Sequence, residues 1–182
     1  MGRAAWRDSI VRRDAGGFTV VELIAVMVLM GILAATATSR MVGRNAYAGA
    51  LVSQQVIALG RLAQQTALAR QDAVVGLDID QNAGDWRFRV QVTVGGTTVA
   101  STEERAEISN TAVTITNGAI TAPLGPAAAL HLTFDGLGGI AAGSVSPTAL
   151  DPAVGVGIQV VGDSTSQLCI GSAGHAYRGS CS

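Results

Sequence analysis

Residues Gly16–Arg40 read GGFTVVELIAVMVLMGILAATATSR, and the kind of chain this is depends on how that stretch is understood. Phe18 to Thr38 is a run of 21 residues in which Glu22 is the one charged side chain. At 1.5 Å rise per residue a helix of this length measures about 31 Å, against a hydrocarbon core of about 30 Å in a bilayer. A carboxylate at the bilayer centre costs about 3 kcal/mol, less near the edge. Glu22 therefore needs a physical reason to be there, and so does the Gly16-Gly17 pair just before the run.

To the N-terminal side, residues 1–17 carry Arg3, Arg7, Arg12 and Arg13 against Asp8 and Asp14, a net of +2. The remainder holds eight Arg against eleven acids, a net of -3, and all twelve basic residues of the chain are Arg. A basic end before an apolar run predicts that this end stays in the cytoplasm and the rest is exported. To the C-terminal side the helical pattern continues with no proline. Val42, Ala46, Gly49, Val52, Val56, Leu59 and Ala63 recur at spacings of three and four, with Arg44, Gln54, Gln55, Arg61, Gln64 and Gln65 on other faces. This predicts one helix from about Phe18 to Asp72, roughly 80 Å long, apolar all round in its first half and amphipathic in its second.

Beyond Asp72 the pattern becomes β-like. AVVGLDID (73–80) and DWRFRVQVTV (85–94) alternate around the turn QNAG (81–84), and Gly95-Gly96 leads into TTVAST (97–102). AVTIT (112–116), ALHLTF (129–134), VGIQVV (156–161) and QLCIG (167–171) are further strands, with TAPLGP, DGLGG and SVSPTALDP as loops. The expected fold class is α+β, an antiparallel β-rich head packed on the amphipathic half of the helix. At 182 residues the chain suits one domain plus an anchoring element. Its two cysteines, Cys169 and Cys181, are expected to form a disulfide in an exported chain, and with His175 they fall short of four metal ligands.

Three readings compete for the N-terminal stretch. A cleaved secretory signal would use Ala35-Thr36-Ala37 as its site, but the helical pattern runs straight through it. A plain signal anchor gives no role to Gly16-Gly17. The third reading uses every feature: Gly-Gly followed by Phe-Thr-x-x-Glu and a long apolar run resembles the signal of type IV pilins and type II secretion pseudopilins. The resemblance implies a pilin-like fold, a cytoplasmic leader (1–17) removed after Gly17 by a membrane prepilin peptidase, and methylation of the new amine of Phe18. It further implies a transmembrane and filament-core helix (18–38), an amphipathic continuation (39–72) and a periplasmic head (73–182). Glu22 lies one helical turn from the new ammonium, and in a filament its partner would be the amine of the neighbouring subunit. An ion pair in low dielectric repays its desolvation only with a well-placed partner. Other pilin subunits and an inner-membrane assembly platform are the implied partners. Ser39 stands where family members often have proline, and Gly31 and Gly43 are candidates to supply flexibility instead.

LTFDGLGGI (132–140) and LCIGSAGHAYRGSC (168–181) resemble the GspH/FimT group of minor subunits, especially MSHA-type minor pilins, which commonly close a C-terminal disulfide loop. FDGLGGI reads equally as a strand end followed by a glycine-permitted turn. No catalytic residue, metal ligand or cofactor is expected. His131 should lie on the strand face opposite Leu130 and Leu132, and a Cys169–His175 nucleophile pair would lose its thiol to the disulfide. Glu103, Glu104 and Glu107 read as solvated residues of a loop or short helix, and Asp78 and Asp80 share one strand face without completing a calcium loop. Nucleic acid is not an expected partner: Arg178 is the only basic residue after Arg105, and Arg87 and Arg89 have Asp85 beside them. A DNA-binding FimT-like minor pilin and a periplasmic protein with an ordinary signal peptide are the alternatives.

Overall fold

The computed structural model describes residues 19–46, 48–106 and 111–181, with side chains omitted over 35–46 and at 48. The chain divides into two compact units, 1–41 and 42–182. The fold is α+β, helices first and antiparallel sheets after. The helical stretch expected over 18–72 is found as α1 (Val20–Ala46) and α2 (Ala48–Ala69), flanking Tyr47, which lies outside the described residues. The helix ends three residues before the expected Asp72. Arg70 N–H still bonds back to the Thr66 carbonyl, but Ala73 N–H then folds onto the Arg70 carbonyl in a turn that launches the first strand.

Among the described residues eleven strands follow, in two sheets. β1 (Val74–Asn82), β2 (Asp85–Val94), β3 (Thr97–Ala106), β6 (Leu130–Phe134), β7 (Ile140–Val145) and β8 (Thr148–Leu150) form a six-stranded sheet in the order β3-β2-β1-β6-β7-β8. β4 (Ala112–Asn117), β5 (Ile120–Pro123), β9 (Val156–Val161), β10 (Thr165–Ile170) and β11 (Ala176–Arg178) form a five-stranded sheet in the order β11-β10-β9-β4-β5. Four of these strands were not apparent in the sequence: β5, β7, β8 and β11. The segment SVSPTALDP, read as a loop, contains the end of β7 and all of β8, while Glu103 and Glu104 sit on β3. Glu107 lies outside the described residues.

Alternation explains how β1 and β2 bury one face. Val75, Leu77 and Ile79 of β1 and Trp86, Phe88, Val90 and Val92 of β2 turn inward, while Asp78, Asp80, Arg87 and Arg89 turn outward. The hairpin between them closes on Ala83 and Gly84, both at positive φ (53° and 95°), as two-residue turns of this hand require. α2 packs against β1, β2 and β6 of the first sheet and against β9, β10 and β11 of the second. Its stripe of Val52, Val56, Leu59, Ala63 and Ala67 is buried with strand residues of both sheets in one core. Burial of such a stripe, at roughly 25 cal/mol per Å² of apolar surface, is what holds an amphipathic helix to a head.

Candidate functional site

The start of α1 is built by Thr19. Its carbonyl accepts the N–H groups of Glu22 (3.0 Å) and Leu23 (3.2 Å), and its Oγ1 lies 3.3 Å from the Glu22 nitrogen, which donates to it. Thr19 is thus an N-cap, and Thr-x-x-Glu is the capping-box pattern, with Glu22 at the third helical position. The carboxylate is therefore favoured by the helix dipole before any partner is considered. The three-residue spacing from Thr19 is the sequence signal for this role, which the charge of Glu22 alone does not reveal. Gly16, Gly17 and Phe18 lie outside the described residues, as does the leader.

From Val20 to Leu33 the apolar side chains of α1 are all exposed, from Val26 at 45% to Val21 at 76%. A helix that is apolar all round and bare of cover needs lipid or other helices around it. Met27 and Met30 belong to this surface, and a Cβ added at Gly31 would meet nothing within 4 Å. The α1 backbone stays helical through Ser39, the position where proline was expected, and through Gly43. Among the described residues no helix is long and apolar enough to cross a membrane. The described side chains of α1 extend only to Ala34.

In the head, the two segments singled out in the distal sequence meet. Asp135 begins the FDGLGGI turn, and its Oδ1 accepts the N–H groups of Leu137 and Gly139, each at 2.9 Å. Ile140 N–H donates to the Ser172 carbonyl (2.9 Å), joining this turn to the C-terminal loop. The loops touch at Gly174, where a Cβ would stand 1.8 Å from the Gly138 carbonyl oxygen, so no side chain fits. α2 braces the junction: Gln64 Nε2 donates to the Ala173 carbonyl (2.8 Å) and Arg61 Nε to the Ala176 carbonyl (3.3 Å). Gln64 and Arg61, read from the sequence as filling a polar face, are thus anchors for the loop.

Cys169 and Cys181 are joined in a disulfide, with Cα atoms 5.2 Å apart, which ties the segment after β11 back to β10. His175 lies within the closed loop and stacks on Tyr177, ring centroids 5.4 Å apart. The Cys169 sulfur is bound in the bridge, so no Cys169–His175 nucleophile exists in this state.

On the outer face of the first sheet the charges pair across strands. His131 projects opposite the buried Leu130 and Leu132 and bonds Asp78, and Arg87 bonds Asp80. Arg89 Nε reaches Glu103 at 3.2 Å and its Nη1 lies 4.0 Å from Asp78, while Arg105 Nε meets Glu103 at 2.7 Å. Hydrogen bonds from Arg105 and Arg89 hold the Glu103 carboxyl below its ordinary value. The Asp78 hydrogen bond raises the His131 pKa against the opposing effect of burial. Arg87, Arg89 and Arg105 are therefore already engaged by carboxylates, and Asp78 and Asp80 face cations of the protein itself. Among the described residues no group of three or more His, Cys, Asp or Glu is placed to hold a metal ion.

Residues 12–38 match the family described as the prokaryotic N-terminal methylation motif. The matched stretch includes Gly16, Gly17, Phe18, Thr19 and Glu22, and it supports the type IV pilin and pseudopilin family. The chain carries, in that motif, the mark of a prepilin peptidase substrate and of a membrane-anchored pilin precursor. No curated protein and no solved structure matches the chain significantly.

Proposed function

We propose that this chain is a minor pilin or pseudopilin, a structural subunit that helps initiate or cap a type IV pilus or a type II secretion pseudopilus. Prepilin peptidase cuts between Gly17 and Phe18, and the freed amine of Phe18 is methylated. Residues 18–38 hold the subunit in the bacterial inner membrane, with the head in the periplasm, until it enters the filament through the assembly platform. The subunit catalyses nothing itself. The observation that carries this reading is the match at residues 12–38, together with the exposed apolar side chains of α1 from Val20 to Leu33. The contact between the FDGLGGI turn and the disulfide loop supports the GspH/FimT group, because the two segments that carry that resemblance form one structural unit.

Glu22 has two roles in this reading. In the single subunit its backbone N–H donates to Thr19 Oγ1, and its carboxylate sits in the first turn of α1, where the helix dipole favours it. In the filament its carboxylate meets the amine of a neighbouring Phe18, a pairing that is strong only because water is excluded. Intact-mass analysis of the protein recovered from its native membrane tests the processing step: the reading expects a chain starting at Phe18 with one added methyl group. A chain starting at Thr38, the product of ordinary signal cleavage after Ala37, would overturn it. Glu22→Gln keeps a capping-box side chain while removing the charge, so it should be processed normally yet enter filaments poorly.

A further inference from the structure

The outer face of the second sheet carries a groove that the filament reading leaves unused. The groove runs on both sides of the Cys169–Cys181 bridge, with a volume of about 340 Å³ on one side and about 430 Å³ on the other. Both parts are lined by Val154, Gly155 and Cys181, so they adjoin at the disulfide. Each falls within the roughly 300–1,000 Å³ of small-molecule sites.

The first part presents Thr116, Gln159, Gln167 and Ser180, and the second presents Ser172, His175 and Tyr177. Among the described residues, none of these side chains hydrogen-bonds to another protein group. Asn117, Thr133 and Asp135 elsewhere in the head, and Gln64 on α2, are all so engaged. The groove thus gathers amides and hydroxyls with free donor and acceptor capacity. Among the described residues, no Asp, Glu, Lys or Arg lines either part. That absence argues against a polyanion such as DNA, which is held mainly through basic side chains.

One end of the groove carries an aromatic platform, because His175 and Tyr177 stack with their planes 21° apart. Thr116 Oγ1 lies directly over Gly157, where a Cβ would stand 2.3 Å from it, so only glycine leaves room for that hydroxyl in the groove. Uncharged groups that both give and accept hydrogen bonds, set beside a ring face, suit a molecule with many hydroxyls and an apolar C–H face. We propose that this groove binds a neutral saccharide, with sugar rings on both sides of the disulfide and one of them against Tyr177. The inference is independent of the filament reading, since every lining residue belongs to the head.

The test uses the full chain in phospholipid nanodiscs, which carry no sugar detergent, and saturation-transfer NMR with lactose and with chitobiose as probes. A short single-stranded DNA serves as the charged comparison. At least one disaccharide should receive magnetisation from the protein. Gln167→Ala and Tyr177→Ala should each weaken its binding by roughly tenfold, equivalent to about 1.4 kcal/mol. Gln167 is an exposed strand residue, so its truncation leaves the core intact. Intact mass and far-ultraviolet circular dichroism confirm that each variant keeps the disulfide and the sheets. No transfer to either disaccharide, equal binding by Gln167→Ala, or displacement of the sugar by the DNA would each overturn the proposal.

Discussion

At the scale of single residues, spacing at Thr19 and Glu22, conformation at Ala83 and charge at His131 each decide something local. The three-residue spacing of Thr19 and Glu22 was read only as part of the signal resemblance and proves to be a helix cap as well, whereas no sequence signal told that Ala83 adopts φ 53°. An L-residue in that region costs about 1–2 kcal/mol, and asparagine tolerates it far better. Ala83→Asn creates an Asn-Gly turn with Gly84 and should raise stability by about 0.5–1 kcal/mol, read as a higher urea midpoint at unchanged slope. His131 offers a pH test. Its folded pKa is raised above the ordinary 6.5 by Asp78, whose other oxygen faces Arg89. The pair therefore stabilises fully below the unfolded pKa, and its contribution is lost as pH rises through the folded value. The His131 side chain is half-exposed, so screening keeps the effect to no more than about 1 kcal/mol. Melting temperature measured across this window should fall with rising pH more steeply in the native chain than in Asp78→Asn; parallel curves would remove the pair from the account.

At the scale of elements, what could be read ahead depended on whether an element announces itself through its own side chains. α2 did, since Val52, Val56, Leu59 and Ala63 mark a face that two sheets then cover. β1 and β2 did as well, through strict alternation of large apolar and charged residues. β7 did not: IAAGSV has little intrinsic β character and exists because β6 offers a paired edge. β8 and β11, at three residues each, are likewise products of pairing rather than propensity. The close seat of α2 on β11 was also hidden, because it relies on a missing side chain. A Cβ at Gly60 would stand 3.0 Å from the Ala176 Cβ and 3.8 Å from Ile170 Cδ1. Alanine there would gain helix propensity while pressing on that contact, so the informative change is a larger one. Gly60→Leu should destabilise the head by about 1–3 kcal/mol through overpacking, despite leucine being the better helix former. Gly31→Leu in α1 meets no such neighbour and should leave the urea midpoint of the head unchanged.

For the whole molecule, the disulfide is the feature whose pairing the cysteine count already suggested but whose purpose needed the fold. The residues it encloses are those that α2 holds through Gln64 and Arg61 and that the FDGLGGI turn contacts through Ser172 and Gly174. Replacing both Cys169 and Cys181 by Ala removes the cross-link between residues 12 apart in sequence, and the chain-entropy model gives about 3 kcal/mol for a loop of such size. Two outcomes can be separated. If the bridge acts mainly by restricting the unfolded chain, global stability falls by about that amount while amide exchange in the native loop changes little. If it instead pins a loop that would otherwise lift, exchange should accelerate at Gly171, Gly174 and Gly179 well before β1 and β2 are affected. The N–H groups of these three glycines donate to the carbonyls of His175, Gly171 and Gln167, all within this region. The hydrogen bonds from α2 and from Ile140 hold the loop independently of the sulfurs, so the first outcome is expected. Hydrogen exchange on the full-length variant, alongside its urea midpoint, decides between them.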